Sequence, residues 1–281
     1  MGDIMVSAGE AARRLGVSAA TVQRWVDAGV VSAVRTHGGH RRIPLSEIRR
    51  ALAARRPAQI IGPLAAWVEV LLAADATSIR TTMLAARRRY GSWSMVAEEI
   101  ASAIAEIGRL WESGSCRIFE EHAASEALHR AAASCAAEIP RRPSARTAAL
   151  FAVTSERHTL GLSLAELVVA EAGWKAHWLG EGPPIEELDL LIEMRRPDLL
   201  VVSASSACSP RMVSSYQSVL EQAARRGHVG LVLAGDGAWM PSEVAHRINS
   251  FQELGAALAR GSDAEDQVSP CADLGQKPAS R

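Results

Sequence analysis

Thr147-Ala148-Ala149-Leu150-Phe151-Ala152-Val153, followed closely by Glu156-Arg157-His158-Thr159-Leu160-Gly161, decides how this chain is read. The first stretch is apolar and strand-like. The second puts an imidazole at the strand's carboxyl end and a glycine at the opening of the next helix. Open α/β sheets meet large ligands at that edge. A neutral imidazole is a good ligand for a transition metal, and an acidic residue two positions earlier can fix its tautomer. Taken alone, the hexapeptide reads more simply as a loop histidine where a strand ends and a helix begins.

Outward from this stretch, residues 146–261 alternate strand and helix. Strands are predicted at 147–153, 174–179, 198–203 and 229–234, with a short fifth near 247–251. Helices are predicted at about 160–172, 185–195, 210–226, 241–246 and 252–260. Such alternation implies a parallel, two-sided α/β sheet of flavodoxin (Rossmann-type) topology. Beyond Gly261 the chain turns to Ser, Asp, Pro and Gln, so residues 262–281 read as a disordered tail.

Upstream, residues 64–139 are Ala-rich, with apolar positions three and four apart. Four helices are expected, near 64–73, 76–90, 93–113 and 117–138, broken around Asp75, Gly91 and Gly114. That spacing suits an up-down four-helix bundle. Pro57 to Pro63 reads as a linker. Residues 1–56 form a smaller unit. Ser7-Ala8-Gly9-Glu10 is a capping box that opens a helix to Leu15. Ser18 caps a second helix, Ala19 to Ala28, which stops at Gly29. Short strands at Val30–Arg35 and Arg41–Pro44 flank His37-Gly38-Gly39-His40 as a basic wing, and Ser46 caps a helix toward Arg56. The second helix turns Val22 and Val26 inward and exposes Thr21, Gln23 and Arg24.

The chain has 281 residues and a formal charge balance of 31 basic against 31 acidic side chains, so its total charge selects no partner. The distribution does. Residues 1–56 hold ten arginines against Asp3, Glu10, Asp27 and Glu47, a net charge of +6 that suits an anionic partner such as double-stranded DNA. Arginines beside a glycine turn supply phosphate contacts, and the second helix supplies sequence readout. The contact set read from this pattern is Thr21, Gln23, Arg24, Arg35, His37, His40, Arg41 and Arg42. The bland alternative is a protein-binding helical module with a solvated basic face. The cysteines Cys116, Cys135, Cys208 and Cys271 form no CxxC pair, which argues against a disulfide framework and fits a reducing cytoplasm. No apolar run approaches the roughly 20 residues needed to cross a bilayer.

Three motifs carry a family resemblance. After Glu156-x-His158-x-x-Gly161 come 41 residues, then Ser203-Ala204-Ser205, then Gly235 and Gly237 after 29 more. This resembles the cobalamin-binding pattern of an acidic residue, x, His, x, x, Gly, then Ser-x-Leu, then Gly-Gly. In the bundle, nine residues separate Trp111 from Glu121-His122, which resembles the Trp-x9-Glu-His signature in the cap of cobalamin-dependent photoreceptor regulators. That trio also reads as a buried tryptophan with a satisfied core Glu-His pair. The N-terminal unit, above all Thr36-His37-Gly38-Gly39-His40-Arg41-Arg42-Ile43, resembles the winged helix-turn-helix of MerR-type regulators. The chain departs from the pattern at Ser205, where the family has leucine, and at Asp236, which splits the glycine pair. Glu112 stands where some members carry a histidine.

By that resemblance the protein is a light-sensing transcriptional regulator with three domains, the last an α/β cobalamin-binding domain. His158 is the lower ligand of the cobalt, with Glu156 orienting it. Trp111, Glu121 and His122 cover the upper face. Ser203 and Ser205 bond the nucleotide tail, and Gly235 and Gly237 let it pass. The resemblance further implies adenosylcobalamin, a dark tetramer or dimer on a DNA operator, and release of DNA when light breaks the cobalt–carbon bond. Two other readings stay open: a sensor using a bilin or haem, with or without cobalamin, and a corrinoid methyl carrier serving a methyltransferase.

Overall fold

The computed structural model describes residues 4–15, 19–27, 29, 31–35, 41–48, 63–140 and 145–266. They fall into two compact units, Met1–Glu138 and Ile139–Arg281.

The first unit opens with strand β1 (Met5–Ser7), helix α1 (Ala8–Leu15) and helix α2 (Ala19–Asp27), followed by β2 (Val34–Arg35) and β3 (Arg41–Pro44). Its small sheet runs β1-β3-β2, antiparallel throughout. Val6, Ala11, Ala12, Val22, Val31, Ile43 and Ile48 make one core, with Trp25 and Val26 half-buried against it. Three details differ from expectation. β1 lies ahead of the first helix and pairs with the wing strand; a three-residue strand is too short to show a period. The strand expected over 30–35 is confined to Val34–Arg35, and the helix expected from Ser46 already begins at residue 45. Ser7 does cap α1, its Oγ accepting the Glu10 amide at 3.2 Å. Glu10 does not reach back; it pairs with Arg13 and Arg14, cations that outcompete a neutral amide.

Four helices follow: α3 (Pro63–Leu72), α4 (Ala76–Tyr90), α5 (Trp93–Glu112) and α6 (Ile118–Glu138). The breaks are chemical. Asp75 accepts the Thr77 and Ser78 amides at 3.3 and 3.0 Å, Gly91 closes α4 at φ +73°, and Ser92 caps α5. Ile79, Met83, Ile100, Ala127 and Leu128 pack the interior. Half-buried Glu99 gathers the bundle's aromatic donors, accepting Trp67 Nε1 at 2.8 Å and the Tyr90 hydroxyl at 2.5 Å.

The second unit contains β4 (Thr147–Ala152), α7 (Leu160–Glu171), β5 (Lys175–Gly180), a 3-10 turn (Ile185–Glu187) and α8 (Leu188–Arg195). It continues through β6 (Leu199–Ser203), α9 (Pro210–Gly227), β7 (Gly230–Ala234), β8 (Ala245–Arg247) and α10 (Phe251–Asp266). The sheet order is β5-β4-β6-β7-β8, all parallel, which is the flavodoxin order. Residues 148–152 of β4 are buried on both faces, as a central parallel strand requires. Residues of α7 and α10 pack one side of the sheet with Leu150 and Val201; residues of α8 and α9 pack the other with Phe151 and Val202.

Three expectations fail here. The fifth strand lies at 245–247, and the helix expected at 241–246 does not form. Ser242 Oγ accepts the Val244 and Ala245 amides at 3.0 and 2.9 Å, a local turn that replaces the first helical bonds. The last helix runs on to Asp266, so residues 262–266, expected in the tail, belong to it. The remainder of that tail, most of the 57–63 linker, and His37 and His40 of the wing lie outside the described residues.

Candidate functional site

The chain leaves β4 to build β5 on one flank and then returns to build β6 on the other. That reversal opens a crevice beyond the strands' carboxyl ends, between β4 and β6. The Val153 amide donates to the Ser203 carbonyl at 2.9 Å and closes its floor. Above the floor a turn with Ser155 at φ +68° sends Glu156 inward and His158 outward. The Glu156 side chain is 2 % exposed and that of His158 is 71 %.

Glu156 is the hub. Its Oε1 accepts the His158 amide at 2.7 Å and faces His158 Nδ1 at 2.6 Å. Its Oε2 accepts the Ser205 amide at 3.0 Å, the Ser205 hydroxyl, and the Cys208 thiol at 3.0 Å. Burial alone would raise this carboxyl, but donors from Cys208, Ser205 and the His158 amide outweigh it and bring the group down to about 2. An ionised carboxylate is an acceptor only, so Nδ1 of His158 donates to it and Nε2 is the ring nitrogen that Glu156 leaves untouched on a largely exposed side chain. Cys208 is pushed up by burial and by the neighbouring carboxylate and stays a neutral donor.

Among the described residues no group of three or more His, Cys, Asp or Glu could hold an ion unaided. A single oriented imidazole serves a metal that brings its other ligands with it, as cobalt in a corrin does.

The other residues read from the sequence fall into two groups in this unit. Gly161, in the first turn of α7, would meet nothing within 4 Å if it carried a Cβ, so the protein's own packing does not demand glycine there. Gly235 and Gly237 answer an internal demand. A Cβ on Gly235 would stand 2.2 Å from the Ala204 carbonyl oxygen, and one on Gly237 would stand 2.6 Å from Ala204 Cβ. Gly235 also sits at φ +82°. The Gly237 amide donates to the Ala204 carbonyl at 2.9 Å, and the carbonyls of Gly235 and Gly237 accept Arg247 at 2.8 and 3.3 Å. Asp236 accepts the Ser206 amide at 2.9 Å. The carboxylate that splits the glycine pair thus caps the β6 loop. Ser203 closes β6 half-buried, whereas Ser205 turns both its donors to Glu156.

In the first unit, the corner 113–117 brings Trp111 to the same end of the bundle as Glu121 and His122. Trp111 is 44 % exposed, so it is no buried core tryptophan. His122 Nδ1 lies 2.8 Å from Glu121 Oε2, and Ser125 Oγ donates to Glu121 Oε1 at 2.7 Å. Phe119, 67 % exposed, and Ile118 extend this end into an apolar patch that sequence reasoning missed. Its signal was an Ile-Phe pair ahead of the inward stripe of Ala124, Ala127, Leu128 and Ala131. On the helix-turn-helix, Gln23, Arg24 and Arg42 are exposed. Arg41 pairs with Asp27 at 2.7 Å and braces the wing strand against α2. Thr21 lies on α2 and Arg35 on β2.

A helix-turn-helix domain family matches residues 5–56, and a B12 binding domain family matches residues 63–135, the four-helix bundle. The class is thus a helix-turn-helix domain joined to a B12-binding region.

The relative that gives this class a particular form is the HTH-type transcriptional repressor CarH of Myxococcus xanthus, 29 % identical over 132 residues. The match covers 46 % of this chain and 43 % of that protein, so the chain spans less than half the length of this relative. The resemblance of this chain to CarH-like regulators stands on these matches together. Among solved structures, a monomethylamine corrinoid protein of Methanosarcina barkeri is similar in fold, with a TM-score of 0.53 at 12 % identity. That similarity covers 69 % of this chain and 96 % of the other. No helix among the described residues is long and apolar enough to cross a membrane.

Proposed function

We propose that this protein is a MerR-type, DNA-binding transcriptional regulator that uses cobalamin, as adenosylcobalamin, to respond to light. One observation carries the reading: the buried Glu156 carboxylate holds Nδ1 of His158 at 2.6 Å while the His158 side chain stays 71 % exposed at the switch point of the sheet. The B12-binding match over the bundle and the helix-turn-helix match supply the context.

In this mechanism His158 would hold the cobalt of the cofactor through its imidazole. Glu156 holds the imidazole, and Ser205 and Cys208 hold Glu156. Trp111 would offer an indole, and Glu121 and His122 polar groups, to the cofactor. Gly161, Ser203 and the Gly235–Gly237 loop border the nucleotide tail. When bound, adenosylcobalamin would supply a light-cleavable bond from cobalt to carbon. The basic helix-turn-helix binds a double-stranded operator, with Gln23 and Arg24 toward base edges and Arg42 toward phosphate. A single +6 module binds DNA weakly, so a dark dimer or tetramer binds by avidity and its dissociation in light frees the operator.

Size-exclusion of the full chain with adenosylcobalamin, recorded by diode array in the dark and after illumination, together with a shift assay on a promoter fragment, tests this. The expected result is a dark oligomer carrying the cobalamin spectrum, which loses both size and DNA on illumination. Methyl transfer to an acceptor with no DNA binding in either state would assign the protein to the methyl carriers instead. A bilin-like far-red band with no cobalt would replace the chromophore.

A further inference from the structure

The loop that carries His158 is also held from its other flank. There the β5 loop, itself tied to α9 through Tyr216, supplies three contacts. Glu181 Oε1 accepts the Ser155 amide at 2.9 Å. Thr154 Oγ1 donates to the Pro183 carbonyl at 3.0 Å, and the Tyr216 hydroxyl donates to the same oxygen at 2.9 Å. Gly182 lies so close to β4 that a Cβ there would stand 2.0 Å from the Ala152 carbonyl oxygen. Ser155, at φ +68°, occupies a region that a residue with a side chain keeps only when its surroundings hold it. Glu156 is the next residue, so the peptide plane at Ser155 sets the line along which its carboxylate enters the core.

We propose that Glu181 is a positioning residue for His158. Acting through the Ser155 amide, it holds the β4 loop in the conformation that seats Glu156 and presents the imidazole. This rests on the reading of His158 as a metal ligand. Glu181 is exposed and acts through its acceptor oxygen, so charge is dispensable and the acceptor is not. Glu181→Gln keeps an oxygen for the Ser155 amide; Glu181→Ala removes it. Ser155→Gly relieves the positive φ and makes the loop less dependent on Glu181, so the two changes couple.

Two readouts test it on the full chain. The first is hydrogen exchange of the amides at 154–159 without added cobalamin. The second is titration with aquocobalamin, followed by absorption. Glu181→Ala should speed exchange of the Ser155 amide and weaken cobalamin binding about tenfold, the lower range for loss of a group that orients a metal ligand. Glu181→Gln should match the wild type, and Ser155→Gly should shrink the effect of Glu181→Ala. If Glu181→Ala leaves exchange and binding unchanged while the wild type shows a spectrum that depends on His158, the positioning role falls and the ligand reading survives. Equal damage from Glu181→Gln also overturns it. If the wild type takes up no cobalamin but Glu181→Ala still loosens the loop, the ligand reading fails and the clamp stands.

Discussion

Glu156 concentrates the chemistry of this protein in one buried carboxylate. Five donors converge on it from His158, Ser205 and Cys208, and they hold it at about 2, below its ordinary 4.5. A carboxyl lowered on folding stabilises the folded state above the unfolded value, and that contribution is lost as the pH falls toward the folded value. Urea unfolding of the chain should therefore show a loss of stability from about pH 4.5 to about pH 2 that is smaller in Glu156→Gln. At neutral pH the same substitution should cost about 2 kcal/mol, because an amide cannot satisfy the donors around it. The pairing of Glu156 with His158 was legible two residues apart in sequence. Ser205 and Cys208 were not legible as its partners, because they arrive on a loop from another strand some 50 positions away, and no local period encodes that return.

At the scale of elements, periodicity carried the reading. The bundle helices and four of the five parallel strands lie within a residue or two of their expected ends, since capping residues such as Asp75 and Gly91 mark breaks chemically. Elements of three residues, β1 and β8, escaped or were misplaced because so short a run shows neither alternation nor helical spacing. The glycines separate what the fold requires from what a ligand requires. Gly182→Ala should destabilise the α/β unit by about 1–3 kcal/mol, since its Cβ would strike the Ala152 carbonyl. Gly161→Ala should do the opposite and raise thermal stability by up to about 1 kcal/mol, as alanine favours a helix. If Gly161 is kept open for a ligand, that stabler variant should bind cobalamin more weakly. Calorimetry and cobalamin titration on the same variant check both halves.

At the scale of the whole molecule, a basic helix-turn-helix unit of +6 and a bundle that matches a B12 binding domain family precede a sheet whose switch point offers one imidazole. Charge distribution and motif spacing made this plan legible. The exposure of Phe119 was not, because it depends on which face of α6 the bundle leaves uncovered. If operator binding rests on avidity, the isolated residues 1–56 should bind a promoter fragment about a hundredfold more weakly than the cobalamin-loaded full chain in the dark, and illumination should remove most of that difference. A fluorescence-anisotropy titration at fixed salt reads the ratio.

The central claim is the bond from His158 to cobalt. Electron paramagnetic resonance of the cobalamin-loaded chain, with cobalt in its paramagnetic state and histidine labelled with heavy nitrogen, tests it most directly. The expected spectrum has a superhyperfine pattern that changes with the histidine label and disappears in His158→Ala. A nitrogen pattern indifferent to the label would contradict it, because the ligand would then be a nitrogen from outside the protein's histidines.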